Sequence, residues 1–361
     1  MNIKKYQRYI CWVFTKNFIY ISLVFFFIVI IINFFEEIRF LEKYETDFYY
    51  SIYLSVLNAP SLIFEIFPFI FLISAKFFYL KLGENNEMEI LNANGISKIK
   101  IIYILSFLSI IIGIFLLLFY YSFSSKLKTT YLDIKNRFSN SNDYLAVVND
   151  SGLWIKEEID DYIYIIHAEK FEKNFLKSIT ISEANKYYNS KSTTFAETAN
   201  IASKNWKLNN VSILTNDGKK NKFKSSVYNS TFNGEIISNL FSNLNALNIY
   251  ELHELSKNYS KIGYSNKEIK IHLNKIYSMP IFFLLMTILG FLIINKLKKF
   301  KTKFFTILFG IFVSVLVYYL NYFSSLLGNK GALPVYLSVW LPMIILFLIC
   351  NIGMIRVNEN N

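Results

Sequence analysis

The chain has 361 residues, 53% of them hydrophobic and 18% aromatic, with only 18% charged. That balance places lipid among its solvents and excludes a disordered, collagenous or disulfide-scaffold protein. Cys11 and Cys350 sit in or beside apolar runs, which leaves no thiol for a zinc knuckle in the polar middle, and the net charge of +12 favours anionic partners such as phospholipid head groups or an anionic substrate.

The first uncharged run, Phe18–Phe35, follows Lys4, Lys5 and Arg8 and leads into Glu36 and Glu37. It is longer than a secretory h-region and has no small-residue cleavage site, so it is predicted to remain as a membrane span. A second apolar stretch, Phe48–Leu82, is broken only by Glu65, Lys76 and Lys81; a span is predicted inside it, starting near Pro60. Ile101–Ser125, Ile276–Asn295, Phe304–Asn329 and Gly331–Ile355 carry no charge, and each is long enough to cross hydrocarbon as a helix at about 1.5 Å per residue. Six spans result. All five prolines, Pro60, Pro68, Pro280, Pro334 and Pro342, fall in or at the ends of these runs, where neighbouring helices can satisfy the backbone groups they free.

Basic residues orient the spans. Lys4, Lys5 and Arg8 precede the first, Lys76, Lys81, Lys98 and Lys100 flank the second loop, and Lys296, Lys298, Lys299, Lys301 and Lys303 fill the fourth. These ends belong in the cytoplasm, both termini included. The mostly acidic stretch from Glu36 to Asp47 fits the opposite side. Residues 126–275 separate three spans from three and are predicted to form a domain outside the cytoplasm, between membrane regions 1–125 and 276–361.

Within that interval the pattern turns to near-alternation at Tyr162–Ile166, Ser178–Ser182 and Trp206–Ile213, the mark of short half-buried strands. Turn signals at Asn149–Gly152 and Asn216–Gly218 separate them. The predicted fold class is therefore a membrane α-helical protein of six transmembrane helices with an inserted all-β domain, a sandwich or partly open roll. Trp154, Ile163, Ile165, Ile179, Ile181 and Trp206 are its candidate interior, either a lining for apolar ligand or an ordinary packed core. Asn248–Lys275 reads as helical and leads back to the membrane. Basic residues outnumber acidic ones in this interval, which suits an anionic glycolipid.

Enzyme chemistry finds little support. No G-x-x-x-x-G-K-[ST] phosphate loop occurs, so ATP hydrolysis by that machinery is excluded. His167, His253 and His272 are widely separated and join no His-Glu-x-x-His, Gly-x-Ser-x-Gly or Cys-x-x-Cys pattern, so no catalytic residue, cofactor or metal ligand is assigned.

The most informative short segment is Gly83–Ser97, between the second and third spans. On a helix of about residues 84–95, Glu84, Glu87 and Leu91 share a face flanked by Met88 and Ile90, and Gly95 supplies a stop. Two readings fit: a cytoplasmic helix that docks in a groove of a soluble partner, or a solvated connecting loop.

Asn86-Glu87-Met88 through Leu91-Asn92-Ala93-Asn94-Gly95-Ile96-Ser97 resembles the coupling-helix motif S-E-L-x-x-[LM]-R-A-A-G-[VI]-S of the LptF/LptG lipopolysaccharide-export permeases. Pro60–Pro68 is similar to the proline-bounded second span of that family. His272–Pro280 resembles its H-[RK]-x-x-x-P entry to the fourth span, with Lys275 as the nearest basic residue and a shift of two positions. Gly331–Pro334 and Trp340–Pro342 resemble its last span, so the likeness runs nearly end to end.

The resemblance implies an inner-membrane half-transporter with a periplasmic β-jellyroll between its third and fourth spans. It implies a second permease of LptF type, a dimeric LptB-type ATPase, and periplasmic jellyroll partners of LptC and LptA type that receive lipopolysaccharide. Nucleic acid is not among the partners. The energy enters through the coupling helix, so Glu84, Glu87, Met88, Leu91 and Gly95 become candidate coupling residues, Glu87 foremost, with Asn92 standing where the family has arginine.

Ile32–Arg39 is most similar to the LptG version of the outer end of the first span, where basic residues meet lipid phosphates. Arg39 suits bidentate phosphate pairing or simple snorkelling. Asn33 stands where LptG proteins often carry lysine, so that phosphate contact is missing or supplied elsewhere. A carboxylate in a span costs on the order of 3 kcal/mol at the bilayer centre. Glu65, predicted about one turn inside the outer end, is therefore a packing or cavity-lining residue. Outside this reading stand an LptF-type subunit, an exporter of another lipid, and a membrane-anchored sensor or enzyme with a ligand-binding outer domain.

Overall fold

A computed structural model describes residues 4–44, 47–138, 153–159, 162–172, 174–185, 190–234, 237, 243–262, 265–297 and 303–359. The chain divides into two compact units, residues 1–128 with 270–361, and residues 129–269.

Helices build the first unit. In chain order they are α1 (Lys5–Leu41), α2 (Phe48–Glu84), the short α3 (Glu87–Ala93) and α4 (Lys98–Phe115), then a π-helical stretch, Leu116–Tyr120, that runs on into α5 (Tyr121–Phe138). After the inserted unit come α7 (Lys267–Leu297), α8 (Lys303–Asn329) and α9 (Val335–Glu359), the label α6 being kept for Ile249–Ile262 within the insert. Among the described residues six helical segments are long and apolar enough to cross a membrane, α4 and α5 counting as one. The expected number of spans is observed.

The second span differs from expectation at its start. Instead of opening near Pro60, α2 begins at Phe48 and carries Pro60 and Pro68 inside it. Proline is tolerated there because neighbouring helices cover the helix. Most side chains of α2 from Leu54 to Leu82 are buried, and an aromatic ladder joins it to α1 and α7. Phe18 meets Phe71 at 4.7 Å between ring centroids, Phe14 meets Phe78 at 6.2 Å, and Phe71 stacks on Phe283 of α7 at 4.6 Å with ring planes 9° apart.

Lipid tails are as apolar as leucine, so helices in a bilayer associate by close packing rather than by fleeing water. Small residues set that closeness here. A Cβ on Gly113 of α4 would lie 2.8 Å from the Cα of Pro280 on α7, and one on Gly290 of α7 would lie 2.6 Å from the Leu72 carbonyl of α2. Ser109 and Thr287 lie 2.8 Å apart between α4 and α7, and each is also within reach of the carbonyl one turn back in its own helix. With one proton each, one hydroxyl donates to its own helix while the other donates across to it.

Among the described residues the second unit has six strands: β1 (Leu153–Ile159), β2 (Tyr162–Glu172), β3 (Phe175–Asn185), β4 (Ser190–Asn200), β5 (Asn205–Thr215) and β6 (Lys220–Asn229). They form one antiparallel sheet in the order β1-β2-β3-β4-β5-β6, a meander inserted between helices; the expected β domain is present, as a single sheet rather than a two-sheet sandwich. The turn signal Asn216–Gly218 joins β5 to β6, with Gly218 at φ +74° and its amide on the Thr215 carbonyl at 2.9 Å. The other signal, Asn149–Gly152, lies outside the described residues, as do Lys298, Lys299 and Lys301.

A line of irregular residues crosses the sheet. Ser178 and Asn210 adopt left-handed φ of 51° and 50°. The pairing skips Glu169 and Ser178, then Ser178 and Glu197, then Glu197 and Asn210, then Asn210 and Lys224. Each strand from β3 to β5 accordingly shows two buried residues three apart, Leu176 and Ile179, Ala199 and Ala196, Leu208 and Val211. One extra residue per strand, aligned from strand to strand, preserves register while bending the sheet.

Of the candidate interior, Ile163, Ile179, Ile181 and Trp206 are buried, whereas Trp154 and Ile165 are exposed at 46% and 36%. Trp154 pairs with His167, which pairs with Thr180, a row on the outer face. Period-two alternation assigns two faces to a strand but not which is covered.

Glu157 of β1 is buried and binds the segment that follows β6. It accepts from the Tyr228 hydroxyl at 3.0 Å, from Ser230 Oγ at 3.2 Å and from the Thr231 amide. Burial, with the Glu157 carboxylate second, pushes the Tyr228 hydroxyl far above its ordinary range, so it remains a donor. The two edge strands are thereby tied through side chains where the ladder does not join them.

Gly113→Ala should lower the thermal unfolding midpoint in mild detergent, the overpacking costing roughly 1–3 kcal/mol. Gly83→Ala, whose Cβ would meet nothing within 4 Å, should leave it in place. Equal midpoints for the two variants would show that α4 and α7 do not approach as described.

Candidate functional site

Two polar constellations interrupt the apolar helical unit. One lies toward the C-terminal end of α1, where Asn33 and Glu37 stand one turn apart and are both buried. Asn33 Nδ2 donates to the Ser55 carbonyl of α2 at 3.4 Å, and its Oδ1 accepts from Asn58 Nδ2 at 3.1 Å. Asn58 Oδ1 in turn accepts from the Lys128 ammonium at 2.6 Å. Ser55 Oγ returns to the Ser51 carbonyl at 2.6 Å. Buried amides are tolerated in apolar surroundings only when both their donors and acceptors are engaged, and this chain of bonds engages Asn33 and Asn58 while fixing a cation beside them.

Lys128 joins this candidate site in the structure, and sequence reasoning did not name it. Its signal was the Lys126-Leu127-Lys128 run directly after the third apolar stretch. Asn33, placed in the substrate path by resemblance, is 2% exposed and orients its neighbours rather than facing outward. Arg39 is exposed in the last turn of α1.

Because α2 starts at Phe48, Glu65 lies roughly 25 Å along that helix at 1.5 Å per residue, near its middle. It is exposed on this unit and borders a cavity of about 30 Å³ with Pro68, Phe69, Phe282, Met286, Ser314, Tyr318 and Asn321.

The second constellation surrounds α3. Asn86 adopts φ 53° and separates α3 from α2, so Glu84 is the last residue of α2 and does not share a helix face with Glu87 and Leu91 as expected. A left-handed residue redirects the chain, and spacing alone does not reveal it. On the far side Gly95 has φ +75°, the conformation that glycine adopts without steric cost, and Ser97 caps α4 by accepting from the Lys100 amide.

None of the residues of α3 is buried; Glu87, Met88 and Leu91 are half-buried, while Glu84, Glu89 and Ile90 are exposed. Glu87 is engaged within the chain. Its Oε2 accepts from the Tyr9 hydroxyl of α1 at 2.7 Å, and its Oε1 accepts from Asn85 Nδ2 at 3.0 Å. The Lys100 ammonium lies 5.8 Å from the centroid of the Tyr6 ring. Lys5, Arg8, Tyr9 and Trp12 border an open cavity of about 490 Å³ on α1.

Among the described residues no group of three or more histidine, cysteine, aspartate or glutamate side chains is placed to hold a metal ion. Among the described residues, six helical segments long and apolar enough to cross a membrane, with a six-stranded β unit inserted among them, give the chain the build of an integral membrane protein. The family model described as "Lipopolysaccharide export system permease LptF/LptG" matches residues 8–356, nearly the whole chain, and the chain belongs to that family. No curated protein matched the chain.

Asn58→Leu should lower the unfolding midpoint by a few degrees, because it removes the donor to Asn33 Oδ1 and an acceptor of the Lys128 ammonium at a cost of about 1–3 kcal/mol. Asn58→Asp, which keeps the acceptor for Lys128, should lose less. An Asn58→Leu midpoint equal to that of the parent chain would remove the bond chain from the account of stability.

Proposed function

We propose that this chain is one permease of a lipopolysaccharide exporter powered by a separate ATPase. The family match over residues 8–356 carries the reading. Members of the family are transporter permeases, and the absence of a phosphate loop from the sequence suits a subunit whose motor lies in another chain.

In this proposal both termini and α3 lie in the cytoplasm of a cell with an inner membrane, on the strength of Lys4, Lys5, Arg8, Lys81, Lys98 and Lys100. The β unit then stands in the periplasm. A second permease of LptF type completes the membrane part, and a dimer of LptB type docks against α3 through residues 84–91. That α3 buries none of its side chains supports such docking, since a helix of seven residues needs a partner to be stable.

Lipopolysaccharide enters from the outer leaflet and meets cations near the outer end of α1. Arg39 and Lys128 are the chain's phosphate partners there: Arg39 is free to form a bidentate pair, and Lys128 supplies the charge that Asn33 lacks. The lipid then passes to the β unit and on to jellyroll proteins of LptC and LptA type. No cofactor is assigned to this chain; ATP belongs to the partner.

Affinity purification of the tagged chain in mild detergent, followed by identification of bound polypeptides and lipid, tests the assembly. An ATPase, a second permease and an acylated glycolipid are expected. Recovery of the chain without an ATPase, or turnover of a substrate by the chain alone in nanodiscs, overturns the proposal. A photoreactive residue in place of Arg39 should form adducts with lipopolysaccharide, whereas one in place of Tyr20, 69% exposed along the span, should react chiefly with bulk phospholipid. Equal labelling at both positions would dismiss Arg39 as a head-group contact.

A further inference from the structure

We infer that Tyr9 is a positioning residue that ties the α3 segment to α1, so that motion imposed on α3 is delivered to the first span. The inference rests on the exporter reading above and adds to it the route by which α3 acts.

What holds α3 is the first observation. It buries none of its residues and hangs between Asn86 at φ 53° and Gly95 at φ +75°. Met88 and Leu91 are only half-buried, so apolar packing alone does not fix its position and polar contacts share in its placement. Among the described residues, the side-chain bond that carries α3 to a different span is the 2.7 Å bond from the Tyr9 hydroxyl to Glu87 Oε2, across 78 residues of sequence. Asn85 engages the other carboxylate oxygen at 3.0 Å and fixes its rotation. A hydrogen bond to an ionised acceptor is roughly twice as strong as one between neutral groups.

The neighbouring contact has the same sense. Tyr6 and Tyr9 stand three residues apart and so share one face of α1. Tyr6 meets Lys100, just inside α4, at 5.8 Å, within the range of a cation–π attraction. The two tyrosines grip the connection between α2 and α4 on both sides of its turn.

The far end of α1 supplies the consequence. From Lys5 to Leu41 it is one unbroken helix, so Tyr9 and Asn33 are joined by a continuous rod of roughly 36 Å at 1.5 Å per residue. Ile10, Val13, Phe14, Phe18 and Ile21 pack inward, while the face bearing Tyr20, Phe27, Ile31 and Ile32 is exposed. A displacement of α3 that pulls on Tyr9 is thus transmitted along α1 to the cluster of Asn33, Asn58 and Lys128. On this account Glu87, within the docking segment, is also an internal link from α3 to α1.

Tyr9→Phe deletes one oxygen and keeps the ring. In the full chain alone, in nanodiscs, it should raise amide hydrogen exchange across residues 87–93 by about fivefold or more, the scale of one lost hydrogen bond. Glu87→Ala should do the same, Glu87→Gln less, and Tyr9→Phe combined with Glu87→Ala no more than either change alone. In the complex reconstituted with its copurifying ATPase and second permease, Tyr9→Phe should keep the ATPase bound and lower lipid released per ATP hydrolysed, again by about fivefold. Unchanged exchange in Tyr9→Phe, or additive effects in the double variant, overturns the link. So does loss of ATPase binding in Glu87→Ala with Tyr9→Phe indistinguishable from the parent. The exchange measurement needs no partner, so a chain that copurifies with no ATPase refutes the exporter reading while the link between α1 and α3 is still read directly.

Discussion

The covering of α2 is the constraint on which the helical unit depends. A helix buried over most of its length in hydrocarbon must satisfy its backbone internally and place any polar side chain where a neighbour answers it. The close approach of Gly290 to the Leu72 carbonyl and the stacking of Phe71 on Phe283 hold α7 on one side. Phe14 and Phe18 hold α1 on another. With its middle packed this tightly, α2 has room for polar partners of α1 chiefly toward its ends, at Ser55 and Asn58 near one and beyond Gly83 near the other. The two polar constellations stand where packing leaves space for them.

Their different chemistry follows from their different surroundings. At Asn33 and Asn58 the side chains are buried, so each bond lost exposes an unsatisfied amide, and the arrangement resists rearrangement. At Tyr9 and Glu87 both partners reach water, so a broken bond is replaced by hydration and its net strength is modest. The bond at Tyr9 and Glu87 is thus the more easily exchanged of the two, whereas Asn58 holds the Lys128 ammonium in a fixed place.

How much of this was legible in the sequence depends on the physical signal. Uncharged runs report burial in lipid directly, so the spans were readable, and the strands of β2, β3 and β5 showed their alternation. The start of α2 was misread because Pro60 looks like a helix beginning when only local preference is weighed; burial by neighbours, which makes an internal proline tolerable, has no local signature. The break at Asn86 was hidden for a related reason, since asparagine enters the left-handed region without any fixed motif. Asn33 and Arg39 were named as candidates through resemblance. Lys128 and Tyr9 were not, because each acts on a residue many positions away, and a single sequence holds no record of that proximity.

The β unit shows the same separation between pattern and placement at its edges. Alternation in β6 puts Lys220, Lys222 and Lys224 at every second position, and all three are exposed on a strand that ends the sheet. Charged side chains along an edge oppose the addition of a further strand. At the other edge, β1 is met by α6, and Glu157 draws the chain that follows β6 against it through Tyr228, Ser230 and Thr231. One edge is therefore covered by the unit itself and the other is guarded by ammonium groups. A protein that continues this sheet must either displace α6 from β1 or bring acidic side chains to neutralise the lysines of β6, and the second route costs no buried apolar surface.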